Sequence, residues 1–310
     1  MILTVTLNTA LDLTYAVPAL VPHSSHRVSE VTERPGGKGV NVARVLSALG
    51  HDTVVTGFAG GSTGTVLREL LGALPQGPTD ALVTVAGNTR RTLAVVDRSS
   101  GDTTQLNEPG PHIGAGEWAA FLGTFRDLLP RAVAVALCGS LPPGVHVGAY
   151  AELVRLARSA EVPVLLDTGG EPLRRGIAAR PDLVKPNAEE LAQLTGAREP
   201  LRATRDARRR GAHSVVTSLG PDGLLAVTPD GIWRAAPPAA VRGNPTGAGD
   251  SAVAGLLSAL AEGLGWQDRL ARAVALSTAT VLAPAAGEFD REAYEDLLPR
   301  VAVEQHTPAA

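Results

Sequence analysis

Gly243-Asn244-Pro245-Thr246-Gly247-Ala248-Gly249-Asp250-Ser251 leads without a break into a run of small apolar residues at 252–260. The pattern predicts a glycine turn opening a helix, with a carboxylate at the mouth of the turn. Gly247, Ala248 and Gly249 let backbone N–H groups converge, and the unpaired donors and positive dipole end of a helix start favour an anion such as phosphate. A phosphate would repel an Asp that served only for binding. Asp250 therefore reads as a base that takes the proton from a hydroxyl attacking that phosphate. Two other readings fit the same letters. Asp250 could simply cap its helix. Gly247, Gly249 and Ala252 also match G-x-G-x-x-A, but no strand-like segment precedes them and Glu262 comes too early to meet a ribose.

Outward from this turn, short apolar runs at 2–7, 53–58, 132–137, 162–167, 183–185 and 214–218 read as strands. Helical patterns at 41–49, 64–71, 116–129, 147–158, 188–194, 202–210 and 252–260 alternate with them. This order predicts an α/β fold with a mostly parallel sheet between helical layers. Aromatic residues make up only 3% of the chain, so Ala, Val and Leu must fill the core, which suits buried parallel strands. Two stretches, about 12–33 and 88–107, carry strand-like pieces without helices and are expected to form a small separate sheet within one domain covering 1–310. The last residues, 303–310, are expected to fray.

Composition excludes several function classes. The net charge of −3 gives no general attraction to nucleic acid or an anionic membrane. Arg202, Arg205, Arg208, Arg209 and Arg210 are dense, yet helical spacing spreads them over a solvated face without interleaved aromatics. Cys138 is the single cysteine, so an internal disulfide or a multi-cysteine zinc site cannot form; its apolar neighbours read as core. No apolar stretch approaches the ~20 residues of a membrane span, and the opening residues lack a basic leader, so a cytoplasmic address is expected.

Other segments offer ligand sites. Gly36-Gly37-Lys38-Gly39-Val40-Asn41 is a second glycine cluster running into a helix, and it is not a Walker A loop because no Ser or Thr follows the Lys. Gly139-Ser140-Leu141-Pro142-Pro143-Gly144 follows an apolar strand, at the edge where open parallel sheets bind ligands. Lys185-Pro186-Asn187 also follows a strand; Asn187 and Glu190 could hold Mg²⁺ through its waters or could form a capping box. Gly60-Gly61-Ser62-Thr63-Gly64 matches the G-x-S-x-G of a hydrolase elbow, with His213 as the candidate triad histidine, but no oxyanion motif precedes it.

Taken together, these motifs resemble the ribokinase/PfkB superfamily of sugar kinases over essentially residues 1–300. Both family signatures are present: the Gly36 to Ala43 cluster with Gly50 and Gly60 after it, and Asn244 to Asp250 with Ala254-Gly255 after it. Within the superfamily the chain looks like the phosphosugar branch, the 1-phosphofructokinases and tagatose-6-phosphate kinases. Its start, Thr6-Leu7-Asn8-Thr9-Ala10-Leu11-Asp12, matches that branch's Thr-Leu-Asn-Pro-x-x-Asp except for Thr9.

The resemblance implies a ribokinase-like three-layer α/β/α sandwich with a small β lid, ATP and Mg²⁺ as cofactors, and no nucleic-acid or membrane partner. It implies a homodimer joined through the lid. It assigns Asp12, Gly37, Lys38 and Asn41 to the sugar hydroxyls, and Arg27, Arg90 and Ser140 to the sugar and its phosphate. Lys185, Asn187, Ser218, Gly220 and Gly223 fall on the nucleotide side, Asn187 and Glu190 on the Mg²⁺ motif, and Asp250 on the catalytic base, with Gly247, Ala248 and Gly249 as its anion turn.

The expected reaction is ATP-dependent phosphorylation of a ketohexose monophosphate to a bisphosphate. Rivals are a kinase for fructose 6-phosphate or for an unphosphorylated sugar or nucleoside, and a non-catalytic sugar or nucleotide sensor. Ser25 and Gln105 stand where the family's 6-phosphofructokinases carry basic residues. Thr92 replaces an Asn common in 1-phosphofructokinases, whereas Asn244-Pro245 looks more like tagatose-6-phosphate kinases, so the branch member stays open. Arg91 offers either an extra phosphate contact or a solvated charge.

Overall fold

Successive residues of a strand point to opposite faces, and this chain grades them by size. Leu3, Val5, Val135, Leu137, Val164 and Leu166 pack on one face of a sheet, while Ile2, Ala134, Ala136, Cys138 and Leu165 pack on the other. The face with smaller side chains lets its helices approach closely. The result is a three-layer sandwich.

The computed structural model describes residues 1–28, 30–283 and 285–306. In chain order its elements are β1 (Ile2–Thr6), β2 (Ala10–Val17), β3 (Glu30–Gly36), α1 (Lys38–Ala48), β4 (Thr53–Gly60), α2 (Gly61–Gly72), β5 (Thr79–Asp80), β6 (Val83–Val85), β7 (Arg90–Asp97), β8 (Thr103–Asn107) and α3 (Ala115–Leu128). After these come β9 (Ala134–Cys138), α4 (Ala149–Ser159), β10 (Val164–Asp167), α5 (Gly170–Ala178), β11 (Leu183–Val184), α6 (Ala188–Thr195), α7 (Pro200–Arg209), β12 (Ser214–Ser218) and β13 (Leu224–Thr228). The chain closes with β14 (Gly231–Ala236), α8 (Ala248–Ala261), α9 (Trp266–Val281), α10 (Arg291–Leu297) and β15 (Ala302–His306).

The main sheet has 11 strands in the order β15-β14-β13-β12-β11-β10-β9-β1-β4-β5, with β6 also paired to β4. From β5 to β12 the pairings are parallel, and β13, β14 and β15 add an antiparallel edge. Helices α3 to α7 supply the core on the large-side-chain face. On the other face lie α1, α8, α9 and α10, with α2 beside α1 over β4.

A second sheet of 4 strands, in the order β3-β2-β7-β8, stands apart from the first. Both strand-like stretches contribute to it; Ser29, inside the first of them, lies outside the described residues. Val31 and Leu106 stand exposed on this sheet, at 54% and 58%.

Every strand and helix read from the pattern is present, with ends shifted by a few residues. The antiparallel edge and helices α5, α9 and α10 were not expected. The tail departs from the expectation of fraying: residues 302–306 pair with β14, and 307–310 lie outside the described residues. Among the described residues, no helix is long and apolar enough to cross a membrane.

Candidate active site

β1 lies between β4 and β9, so chain connections leave it in both directions, and the crevice beyond its carboxyl end is where an open α/β sheet takes its ligand. Asn8, just past β1, donates to Ser140 Oγ at 3.1 Å, just past β9, and to the Pro109 carbonyl at 3.1 Å. The two glycine-led helices, α1 and α8, start at this edge and pack against each other.

Gly247 is the N-cap of α8 with φ of 85°, and a Cβ there would lie 2.7 Å from Ala286. Only glycine suits that conformation and that approach. The Ala248 N–H is taken by the Pro245 carbonyl at 3.1 Å, and those of Gly249 and Asp250 are left as donors of the first turn without a partner among the described residues.

Asp250 follows in that turn, 7% exposed, and its Oδ2 accepts from Asn41 Nδ2 at 2.9 Å. Burial pushes its carboxyl up to about 6, against the opposing pull of Lys38, the Asn41 hydrogen bond and Lys185. Asn41 Oδ1 is buried without a partner among the described residues. An orphaned acceptor beside a buried carboxylate is what a hydroxyl ligand would satisfy.

Next to this pair, Asp167 is 1% exposed and stands between two lysines, with Lys38 Nζ at 3.4 Å and Lys185 Nζ at 3.6 Å. Asp167 holds the Lys38 ammonium above its usual range. Lys185, only 4% exposed, has its Nζ 3.6 Å from where a Gly249 Cβ would be, so it lies against the anion turn. Asp167 was not among the residues assigned from the sequence. An acid closing the apolar run Val164-Leu165-Leu166 at the carboxyl end of a parallel strand was the available signal.

The small sheet supplies a second group. Asp12 on β2 lies over Gly36, where a Cβ would meet its carboxyl at 2.1 Å. Burial raises the Asp12 carboxyl to about 6, opposed by Arg90 and a hydrogen bond from Thr92. Arg90 donates to the Asn8 and Glu108 carbonyls, each at 3.3 Å, and its guanidinium closes no ion pair among the described residues. Arg91 instead pairs with Glu108 at 3.1 Å. Gly37, with φ of 102°, is the N-cap of α1. Arg27 is not drawn into either group: it is exposed in the connection between β2 and β3, without a partner among the described residues.

Asn187, Ser218, Gly220, Gly223, Ala248 and Gly249 line a cavity of about 560 Å³ beside the turn, large enough for a nucleotide. One wall is α9, through Val274, Ser277, Thr278 and Val281, residues the sequence reading missed along with their helix. Their three- and four-residue spacing was the signal. Asn187 and Glu190 form the full capping box: Glu190 N donates to Asn187 Oδ1 at 2.8 Å and Asn187 N to Glu190 Oε2 at 2.9 Å. Glu190 Oε1 stays outside the cap. Among the described residues no cluster of three or more His, Cys, Asp or Glu could hold a metal. Glu190 Oε1 is the oxygen of this pair that could meet a water of a Mg²⁺.

Arg44, one turn beyond Asn41, donates to the Ala286 carbonyl at 2.9 Å and to Glu288 at 2.9 Å. Glu288 also accepts from Arg34 of the small sheet at 3.0 Å. This chain of contacts holds the 285–288 segment against Gly247. The hydrolase reading fails on topology. Ser62 follows the carboxyl end of β4, whereas His213 precedes β12, which places them at opposite edges of the parallel sheet.

Residues 4–292 match the model of the pfkB family carbohydrate kinases, and the chain belongs to that family. It is therefore a phosphotransferase with an alcohol group as acceptor. It is 39% identical over 291 residues to the 1-phosphofructokinase of Rhodobacter capsulatus, covering 91% of this chain and 92% of the relative. A Thermotoga maritima structure described as a possible 1-phosphofructokinase superposes with a TM-score of 0.90 at 29% identity, over 99% of this chain and 100% of that one. Arabidopsis thaliana ribokinase, solved with ribose and ATP, shares the fold at a TM-score of 0.76 and 23% identity, over 96% of this chain and 98% of its own. The fold is ribokinase-like.

Proposed function

We propose that the protein phosphorylates a ketohexose monophosphate, with fructose 1-phosphate the foremost candidate, to a bisphosphate at the expense of ATP. The observation that carries this reading is Asp250: a buried carboxylate near a pKa of 6, held by Asn41 in the first turn of a glycine-started helix beside Lys185. A base with that affinity is mostly ionised at neutral pH yet able to accept a proton.

Asp250 takes the proton of the acceptor hydroxyl, and Asn41 keeps its carboxylate aimed. The unpaired N–H groups of Gly249 and Asp250, with Lys185, stabilise charge on the transferring phosphate. Asp167 keeps Lys38 charged and, 3.6 Å from Lys185 Nζ, holds that lysine against the turn. Asp12, Gly37, Lys38 and Asn41 hold the sugar hydroxyls, while Arg90, Ser140 and Arg27 serve its phosphate. Asn187, Ser218, Gly220 and Gly223 take the nucleotide. ATP supplies the γ-phosphoryl; Asn187 and Glu190 would hold Mg²⁺ through its waters, and the ion would there neutralise phosphate charge. The small sheet acts as the lid, and exposed Val31 and Leu106 support pairing of two copies through it.

Support for the phosphosugar comes from the 1-phosphofructokinase relative and from Arg90, which donates to two carbonyl oxygens and closes no ion pair among the described residues. The test is Mg²⁺-ATP turnover against fructose 1-phosphate, tagatose 6-phosphate, fructose 6-phosphate and the free sugars, for wild type and Arg90→Ala. The expected result is a preference for a monophosphate and a KM for it that rises at least tenfold in the variant. Equal activity on free sugars, with KM unmoved by Arg90→Ala, overturns the reading.

A further inference from the structure

The dense arginines of α7 do not simply spread over a solvated face. Arg205, Arg208 and Arg209 line one cleft together with Arg158 of α4, Arg180 after α5, and His213. The cleft encloses about 1010 Å³, nearly twice the nucleotide cavity. Only Glu161 and Asp182 bring carboxylates to its wall, so it is locally basic on a chain whose net charge is −3.

These charges differ in what they already do. Arg158 donates to the Arg180 carbonyl at 2.5 Å and Arg208 to the His213 carbonyl at 2.9 Å, so both are held in place by neutral acceptors. Arg209 pairs with Asp206, and Asp182 accepts from the Val164 N–H at 2.9 Å. The side chains of Arg180 and Arg205 have no partner among the described residues. Two guanidiniums unpaired among the described residues and two more that are anchored but not neutralised therefore line one open cleft, with Arg205 at its border also lining the neighbouring cavity of Asn187, Ser218 and Gly220.

We propose that this cleft is a second ligand site, separate from the catalytic crevice, that takes a small anion carrying two phosphate groups. Arginine suits this role because its planar fork binds phosphate oxygens bidentately. One phosphate would leave much of the volume and half of the guanidiniums unused. The position is opposite the chemistry. Pro163, Asp182 and His213 line the cleft just before β10, β11 and β12 begin, and those strands end at or beside Asp167, Lys185 and Ser218. An occupant would thus rest on the far ends of the three strands that carry the catalytic lysine, its carboxylate and the nucleotide-side serine.

Calorimetric titration of the purified protein with inorganic pyrophosphate tests this, using wild type, Arg158→Gln/Arg180→Gln, Glu161→Gln and, for the catalytic edge, Arg90→Ala. Binding is expected in wild type and Arg90→Ala, at least tenfold weaker in the double variant, and several-fold tighter in Glu161→Gln, where a carboxylate is removed. Turnover of the double variant should equal that of wild type, which establishes that it folds. The Glu161→Gln result has the opposite sign and does not depend on any loss of structure. Absence of binding by wild type, equal binding by the double variant, or loss of binding in Arg90→Ala alone overturns the proposal.

Discussion

Asn41 Nδ2 donates to Asp250 Oδ2 at 2.9 Å, joining the first turns of two helices across 209 positions of sequence. The two glycine motifs are thereby made into one site. Asn41 orients the carboxylate and helps keep it ionised, and its own buried Oδ1 remains available to a hydroxyl.

Asp250→Asn keeps the shape of this contact region and removes the proposed base. Turnover is expected to fall by roughly 10²–10⁴ with substrate KM values within a few fold of wild type. The folded-state carboxyl, at about 6, lies above its ordinary 3.8. Its contribution to stability is therefore full below the unfolded value and is lost as pH rises through about 6. A melting temperature at pH 7 equal to or above that of wild type should accompany the activity loss; a sharply lower one would indicate a structural role instead.

The pH profile of kcat/KM should have an acid limb near 6, with activity present above it and lost below, because Asp250, as the proposed base, has to be ionised in the free enzyme. Asp12 is raised to about 6 as well, so two protonations steepen that limb, and Asp12→Asn should reduce its slope by one. The Asn41 hydrogen bond lowers the Asp250 value. Asn41→Leu should therefore move the limb to higher pH, and an unmoved limb would show that Asp250 is not the titrating group.

Asp167→Asn leaves two ammonium groups facing a neutral amide. Lys185 is 5% exposed at its side chain and Lys38 is 42% exposed, so most of the cost falls on Lys185. Unfolding in urea should show a loss of about 3 kcal/mol for the broken buried pair. Turnover should drop with it, since Lys185 loses the carboxylate that positions it against the anion turn.

Gly247→Ala combines a left-handed φ of 85° with a Cβ 2.7 Å from Ala286. Gly263, at φ of 73°, has nothing within 4 Å of a Cβ and isolates the conformational part. Gly263→Ala should cost about 1 kcal/mol and keep full turnover. Gly247→Ala should cost more and lose at least tenfold in turnover, because the segment tied by Arg44 must shift from beneath the anion turn.

Ser277→Leu projects bulk from α9 into the cavity proposed for the nucleotide. It should raise KM for ATP at least tenfold while leaving KM for the sugar phosphate near wild type. Equal changes in both, or none, would place the nucleotide elsewhere.

The alternation of apolar runs and helical patterns was sufficient for the sandwich, because each strand must bury both faces and each helix one stripe, and those demands are local in the chain. Both glycine motifs, the Asp250 turn and the Lys185 and Asn187 segments were legible for the same reason: turn geometry and helix starts depend on neighbouring residues. Helix α9, with its long run of Ala, Val and Thr, was not read, and neither was the antiparallel edge: β14 and β15 are short and of mixed polarity, with no pattern apart from their pairing, whereas the apolar run Leu224-Leu225-Ala226-Val227 of β13 was an available signal. Tertiary structure alone decided the rest. Asp167 matters because strand order sets it between lysines that stand 129 and 18 positions away in sequence. Glu288 ties the small sheet to the anion turn because Arg34 and Arg44, from different elements, converge on it. The arginines of α7 form a cleft only because Arg158 and Arg180 fold against them. Charge and hydrogen bonding act through space, and which distant charges meet is settled by how the layers pack.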